Sequence, residues 1–142
     1  MCRRREGFTL IELLIVVVIL AILAATIIPQ FTDVSADTKR SSALMNLRTL
    51  RAQIEMYKAQ HAGSPPSPLT KLTEKTDASG ASGGNLGPYL QFIPMNPFTN
   101  KNTVTVTPNN PPTAPSAGSD RGWLYHTASG NVWLDEAGYL DQ

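Results

Sequence analysis

The strongest constraint on this chain is a long apolar run near its N-terminus. Between Phe8 and Ile28 only Thr9, Glu12 and Thr26 are polar among 21 residues. As an α-helix rising ~1.5 Å per residue, this run would span about 30 Å, the thickness of a bilayer's hydrocarbon core. The sequence therefore predicts a membrane-spanning helix. Glu12 is its exception, because a carboxylate inside such a helix costs on the order of 2.5–3.5 kcal/mol and needs a partner or a purpose.

The residues that precede this run are basic. Arg3–Arg5 stand against the single acid Glu6. The positive-inside rule then predicts a cytoplasmic N-terminus and places the residues after Pro29 on the far side of the membrane. A cleavable secretory signal also begins with a basic segment, although its apolar core is shorter and ends in small residues. That alternative stays open because alanines occur late in the run, and a plain signal anchor is a second alternative.

The junction between the basic N-terminal segment and the apolar run reads Gly7-Phe8-Thr9-Leu10-Ile11-Glu12-Leu13-Leu14. It resembles the class III signal of type IV pilins and type II secretion pseudopilins, over Gly7 to about Gln30. In that family a membrane peptidase cuts after the glycine and methylates the new N-terminal phenylalanine. The resemblance implies cleavage between Gly7 and Phe8 and N-methylation of Phe8. It also implies that Glu12 pairs with the N-terminal amine of a neighbouring subunit during assembly.

Elementary chemistry agrees with these implied roles. A protease needs unhindered backbone at the scissile bond, and Gly7 has no side chain to obstruct it. Opposite charges at Phe8 and Glu12 would attract more strongly where water is scarce. The alternative for Glu12 is a carboxylate that reaches the headgroups or is protonated. Pro29 removes one helical hydrogen bond and is predicted to kink the helix rather than end it.

Composition limits the remaining possibilities. About 110 of the 142 residues are left for a soluble core once the membrane helix is set aside, which suits one small domain. Without residues 1–7 the chain has 9 basic and 10 acidic side chains, so no basic nucleic-acid surface is indicated. The single cysteine, Cys2, lies in the leader, and the mature protein would contain no disulfide. Many pilins close a C-terminal loop with a disulfide, so this favours a pseudopilin.

A second, amphipathic helical pattern follows Pro29. Arg40, Arg51 and Lys58 lie along its edge, and Glu55 is spaced to pair with Arg51. A solvated rim is favoured over contact with acidic lipid or a neighbouring subunit. The pattern predicts one helix of about 50 residues. Six residues fall within an arc of about 80° at ~100° per residue and form the predicted packed stripe: Ala43, Leu47, Leu50, Ile54, Tyr57 and His61.

Prolines in residues 63–68 end that helix, and a short helix is predicted over 67–75. The segment 88–98 packs aromatics between prolines and loosely resembles a stretch of the major pseudopilins, with Asn96 where they have aspartate and Phe98 where they have tryptophan. We interpret it as a proline-stapled core loop.

The C-terminal half predicts strands. Residues 103–107 alternate in a β-branched pattern, and residues 122–127 and 131–135 form a hairpin signal. Residues 108–120 are predicted to be an exposed loop with no packing capacity. The aromatic residues of the strands are interpreted as core rather than as a binding site: Trp123, Tyr125 and Trp133.

Together these elements predict an α+β fold: a long N-terminal helix, membrane-spanning in its first half, packed on a small antiparallel β-sheet head, as in pilins. The predicted boundaries are a leader at 1–7, the transmembrane and assembly half of the helix at 8–28, its amphipathic half at 29–62, and a globular head at 63–142. The head would be periplasmic.

Catalytic chemistry is not indicated. Ser129, His126 and Asp135 lie close in the hairpin sequence, but strand residues at such spacings are usually surface polar groups, and motifs for phosphate binding or zinc hydrolysis are missing. No cofactor and no metal site are predicted. Calcium stays an open alternative because major pseudopilins hold one, and four C-terminal acids are suitable oxygen donors: Asp120, Asp135, Glu136 and Asp141.

The sequence thus predicts a structural subunit rather than an enzyme, a pseudopilin-like protein of a type II secretion system. Its expected partners are other copies of itself, other pseudopilins, the prepilin peptidase, an inner-membrane assembly platform and membrane lipid, with no nucleic acid. It would cross the cell inner membrane once. The alternatives are a type IV pilin for adhesion, twitching or DNA uptake, and a membrane-anchored binding domain that never polymerises.

Overall fold

The computed structural model describes residues 7–118 and 120–140, and for residues 28–33 it describes the backbone alone. The chain forms two compact units, Met1–Thr38 and Lys39–Gln142. One helix, α1, runs over Leu10–Gln60 and contributes residues to both units. It continues through Pro29, as predicted, whereas the predicted kink falls where side chains are not described and stays a prediction.

The first unit contains the apolar half of α1. The segment Leu10–Ile27 is long and apolar enough to cross a membrane, and none of it is buried. Thr26, one of its few polar residues, has its hydroxyl bonded back to the carbonyls of Ile22 and Leu23 at 3.2 and 3.0 Å. Such back-bonding satisfies a hydroxyl within the helix itself, which is what a lipid environment requires.

The second unit is built on the remaining part of α1. All six residues of the predicted stripe are buried, each at most 3% exposed. Their 3.6-residue periodicity places them on one face, which packs against the rest of the head. The partners in this core come from a short 3₁₀ helix at Leu69–Thr73, from Ile93 and from the sheet: Leu69, Leu72, Ile93, Trp123, Tyr125, Val132 and Leu134.

The C-terminus of α1 is closed by its own backbone. Gly63 has a φ of 83° and its N–H donates to the carbonyl of Lys58 at 2.8 Å. Glycine suits this position because the left-handed conformation carries no Cβ penalty. Arg51, farther back on the helix, donates from Nη2 to the carbonyl of Val132 at 3.0 Å. The predicted rim residue therefore ties α1 to the sheet.

The sheet has three strands in the order β1-β2-β3: Val104–Val106, Trp123–His126 and Asn131–Leu134. β2 and β3 form the predicted antiparallel hairpin. β1, however, pairs with β2 in parallel, so the prediction of a purely antiparallel sheet was wrong at this strand. The physical reason is the connection of residues 107–122, because a crossover of a dozen or more residues can return the chain to the same end of the sheet.

The loop of residues 108–120 also differs from its prediction. Within it Pro112 is buried, and Ser116 donates its backbone N–H to the Asp135 carboxylate at 2.8 Å. The Ser116 hydroxyl bonds to the second oxygen of the same carboxylate.

The sheet has a second face, which points away from α1. Two residues on this face, Leu124 and Trp133, are paired across β2 and β3 and are buried, and they alternate along the strands with the residues that face α1. The second face of the sheet is therefore also covered.

The proline-rich segment 88–98 is part of the core, as interpreted from the sequence. Asn96 is fully buried, donates from Nδ2 to the carbonyl of Gly122 at 3.2 Å and accepts from the N–H of Phe98 at 2.9 Å. Trp123 donates its indole N–H to the carbonyl of Pro94 at 2.7 Å. These bonds hold the segment against the start of β2.

We predict that Ile54→Ala destabilises the head by about 2–5 kcal/mol, because it removes buried methylenes and leaves a cavity. Met56→Ala, at a half-exposed position on the same helix, should change stability by no more than about 0.5 kcal/mol. The measurement is thermal or denaturant unfolding of the detergent-solubilised chain by tryptophan fluorescence, since both tryptophans lie in the head. Equal effects of the two substitutions would contradict this packing.

Candidate assembly site

The start of α1 is held by a reciprocal set of hydrogen bonds. Thr9 donates both its backbone N–H and its hydroxyl to Oε2 of Glu12, each at 2.8 Å. The N–H of Glu12 donates back to the Thr9 hydroxyl at 3.3 Å. This is a capping box with Thr9 at the N-cap and Glu12 three residues later. It satisfies two N–H groups that otherwise have no partner at a helix start.

Only one of the two oxygens of the Glu12 carboxylate takes part in this cap. Oε2 accepts both Thr9 donors, and Oε1 has no partner among the described residues. A negative charge in the first turn also interacts favourably with the helix dipole. One oxygen holds the carboxylate in place, and the other is available to an external cation without breaking the cap.

Gly7 and Phe8 lie in non-helical, exposed chain just before α1. A Cβ built on Gly7 would meet no described atom within 4 Å, and its φ is not in the left-handed region. The fold of the described residues therefore gives no reason for glycine at this position. Phe8 is 85% exposed. Leader residues 1–6 lie outside the described residues.

Sequence reasoning found Glu12 but missed Thr9. The signal was present, because Thr9-Leu10-Ile11-Glu12 has the Ser/Thr-x-x-Glu spacing of a capping box directly before an apolar run. Glu12 was identified because it is the one acid in an apolar run, whereas Thr9, its hydrogen-bond partner three residues earlier, was given no role.

The polar trio noted in the hairpin does not come together. The Ser129 hydroxyl lies 2.8 Å from Nδ1 of His126, but the Asp135 carboxylate is bonded to Ser116. The Ser129 hydroxyl also accepts from the N–H of Asn131 at 3.2 Å. These bonds close the turn between β2 and β3, which agrees with a structural role for this polar group.

The four acids considered for calcium have separate surroundings. Asp120 lies 3.4 Å from Lys101, and Glu136 lies 3.9 Å from Arg121. Asp135 is buried against Ser116, and Asp141 lies outside the described residues. In the part of the chain that the structure describes, no three His, Cys, Asp or Glu side chains are placed to hold a metal ion. Calcium binding stays a prediction.

Comparison with known proteins bears directly on the N-terminal segment. Residues 2–28 match the family model described as the prokaryotic N-terminal methylation motif. The chain resembles secretion pseudopilins and type IV pilins. It is 40% identical over 63 residues to the type II secretion system core protein G of Pseudomonas aeruginosa, covering 44% of each chain. The pilin-like segment therefore has both the sequence signature and the exposed apolar helix.

Two further relatives come from the pilin side. The type IV major pilin protein PilA of Myxococcus xanthus is 55% identical over 47 residues, which cover 33% of this chain and 21% of the pilin. A fimbrial protein of Pseudomonas aeruginosa is 45% identical over 53 residues, or 37% and 34% of the two chains. This pilin-like chain thus spans less than half the length of the relatives it matches. No solved structure matches it.

We predict that Thr9→Val loosens the first turn of α1, whereas Thr9→Ser preserves it. Loss of an N-cap costs about 0.5–2 kcal/mol, so amide hydrogen exchange over residues 10–13 should accelerate by roughly 2- to 30-fold. The comparison is made in detergent micelles, with exchange at the amides of the second unit as the internal reference. Equal exchange in the two variants would contradict the cap.

Proposed function

We propose that this chain is a structural subunit of a pilus-like filament, a pseudopilin of a type II secretion system. The observation that carries the proposal is the methylation motif of residues 2–28 placed directly on an uncovered apolar helix. An 18-residue apolar surface cannot remain in water. It has to lie in lipid or against other apolar helices, and a filament subunit uses it in both ways.

In this proposal the peptide bond between Gly7 and Phe8 is hydrolysed and the new amine of Phe8 is methylated. The resulting secondary amine stays cationic at neutral pH. The exposure of both residues supports access by the peptidase. The amine of one subunit then pairs with Glu12 of its neighbour, whose Oε1 is free to accept it while Oε2 keeps the Thr9 cap.

The proposed location is the cell inner membrane, crossed once, with the leader in the cytoplasm and the head on the periplasmic side. The supporting observations are the three leader arginines and the single apolar segment of the described residues. The proposed partners are further copies of this chain, other pseudopilins, the prepilin peptidase and an inner-membrane assembly platform. No catalytic role is proposed.

A type IV pilin is the second candidate, and the identity to pilins of two organisms favours it. The secretion pseudopilin is preferred because the only cysteine is Cys2 in the leader, so the head has no disulfide to close a C-terminal loop. A membrane-anchored domain that never polymerises is the candidate of a different class. It would need neither Glu12 nor cleavage after Gly7.

We predict that the N-terminus of the native protein is N-methylated Phe8, with Met1–Gly7 removed. Mass spectrometry of the membrane-extracted chain measures this directly, and an uncut Met1 or Cys2 would contradict it. Gly7→Ala should block processing. Since a Cβ at Gly7 meets no described atom, the head should retain its wild-type unfolding transition, which separates a peptidase effect from misfolding.

We predict that Glu12→Gln abolishes filament assembly while leaving the helix cap in place. The amide oxygen of glutamine can still accept from Thr9, but it cannot form an ion pair with a neighbour's amine. Glu12→Ala removes both functions and serves as the comparison. Filaments are measured by shearing and electron microscopy, and membrane insertion by carbonate extraction. Wild-type filament yield from Glu12→Gln would contradict the ionic role.

A further inference from the structure

α1 has a second face that the head does not cover. Opposite the packed stripe lies a shallow depression of roughly 480 Å³ on the helix surface, where Met45 is 71% exposed. The residues that line it all belong to one side of α1: Ser41, Leu44, Met45, Arg48, Thr49 and Ala52. An exposed methionine beside small residues offers an adaptable apolar contact.

Arg48 supplies the charge of this face. Four cations among the described residues of the head form ion pairs with nearby acids: Lys58, Lys71, Lys101 and Arg121. Within residues 7–118 and 120–140, Arg48 forms no such pair and donates no hydrogen bond to a protein atom. Arg48 is exposed and lines the depression, so the donors of its guanidinium are available to a partner.

The head also contains a matching carboxylate. Asp77 is exposed in the loop after the 3₁₀ helix and forms no ion pair with any described cation. Its Oδ1 accepts from the hydroxyl of Ser79 at 2.6 Å and from the N–H groups of Ser79 and Ala81 at 2.9 and 3.0 Å. These bonds, the Ser79 hydroxyl foremost, hold the pKa of the Asp77 carboxyl below its ordinary value. The side chain is fixed, charged and has Oδ2 available.

We propose that the Arg48 face of α1 docks on the Asp77 loop of a second copy of this chain, with Arg48 paired to Asp77 across the contact. The proposal rests on the proposed function and names the subunit contact outside the membrane segment. The two patches are different surfaces of the molecule. Contacts of this kind are heterologous, and they generate open helical assemblies when the rotation between copies does not close a ring.

Charge complementarity favours the Asp77 loop as the surface that docks on the Arg48 face. The face is cationic and flanked by Met45 and Ala52, so it needs an anionic partner with apolar surroundings. An exposed ion pair adds little strength by itself, but it selects the register of two surfaces and penalises wrong ones. The membrane half of α1 would supply the affinity, and the Arg48 contact would set how neighbouring heads are placed.

The test uses charge reversal in the full-length chain. Arg48→Asp and Asp77→Arg should each lower filament yield by at least about fivefold, because like charges would face each other at every contact. The double variant R48D/D77R should restore yield, since the pair is re-formed with its signs exchanged. The matched control is Arg40→Asp, the same charge change at an exposed site about 80° around the helix, at ~100° per residue.

Proximity is tested separately by cross-linking. Arg48→Cys and Asp77→Cys are combined in one chain, whose only other cysteine, Cys2, is exchanged for serine. Mild oxidation of filaments should give a ladder of covalent multimers, and each single cysteine variant should give none.

The outcomes separate this contact from the proposed function. Normal filaments from R48D with no cross-linked ladder would overturn the contact and leave the proposed function standing. If R40D lowers filament yield as much as R48D does, or if the double variant does not recover yield, the loss reflects a general effect of charge. Either result would also overturn the contact. If the wild-type chain forms no filament, or if Glu12→Gln assembles as the wild type does, the proposed function itself fails.

Discussion

The structure depends first on an apolar surface that nothing in the described chain covers. The segment Leu10–Ile27 is entirely exposed, although its composition is that of a protein interior. At about 25 cal/mol per Å² such a surface strongly disfavours water, so its surroundings must be lipid or other apolar helices. A monomer can meet this demand only in the bilayer. In the proposed filament, other copies would take the place of lipid when the helix leaves the bilayer, which would link membrane anchoring to assembly.

Glu12 has to be compatible with both surroundings. The Thr9 cap gives its Oε2 two donors from within the same helix end, so the carboxylate is partly satisfied before any neighbour arrives. Hydrogen bonds to a carboxylate in a site of low dielectric offset part of its desolvation cost. In the proposed filament, a neighbour's amine would add to an existing arrangement rather than replace it. An acid without a local partner would be costlier in the membrane and less well positioned for pairing.

Local sequence patterns predicted the helices and strands, because short-range spacing of apolar residues decides these elements. Helical periodicity identified α1 and its six packed residues, because burial of one face requires that spacing. Alternation identified β1 and a hairpin signal identified β2 and β3, but alternation carries no information on pairing direction, and β1 proved parallel to β2. The bonds from Ser116 to Asp135 and from Arg51 to Val132 join residues 19 and 81 positions apart, and no local pattern encodes them. Thr9 is the opposite case, a local signal overlooked beside a more conspicuous residue.

The end of α1 explains how the head can present a fixed loop. The carbonyl of Tyr57 lies 2.7 Å from Nδ1 of His61 and can only accept, so Nδ1 is the donor, and Nε2 is hydrogen-bonded to the Thr76 hydroxyl at 2.9 Å. His61 also stacks on the Tyr57 ring with centroids 3.6 Å apart. Thr76 in turn exchanges backbone hydrogen bonds with Leu86 at 2.9 Å, which closes the loop that begins at Asp77. A carboxylate anchored in this way to the helix end keeps one position, and a contact that sets the register between subunits needs that property.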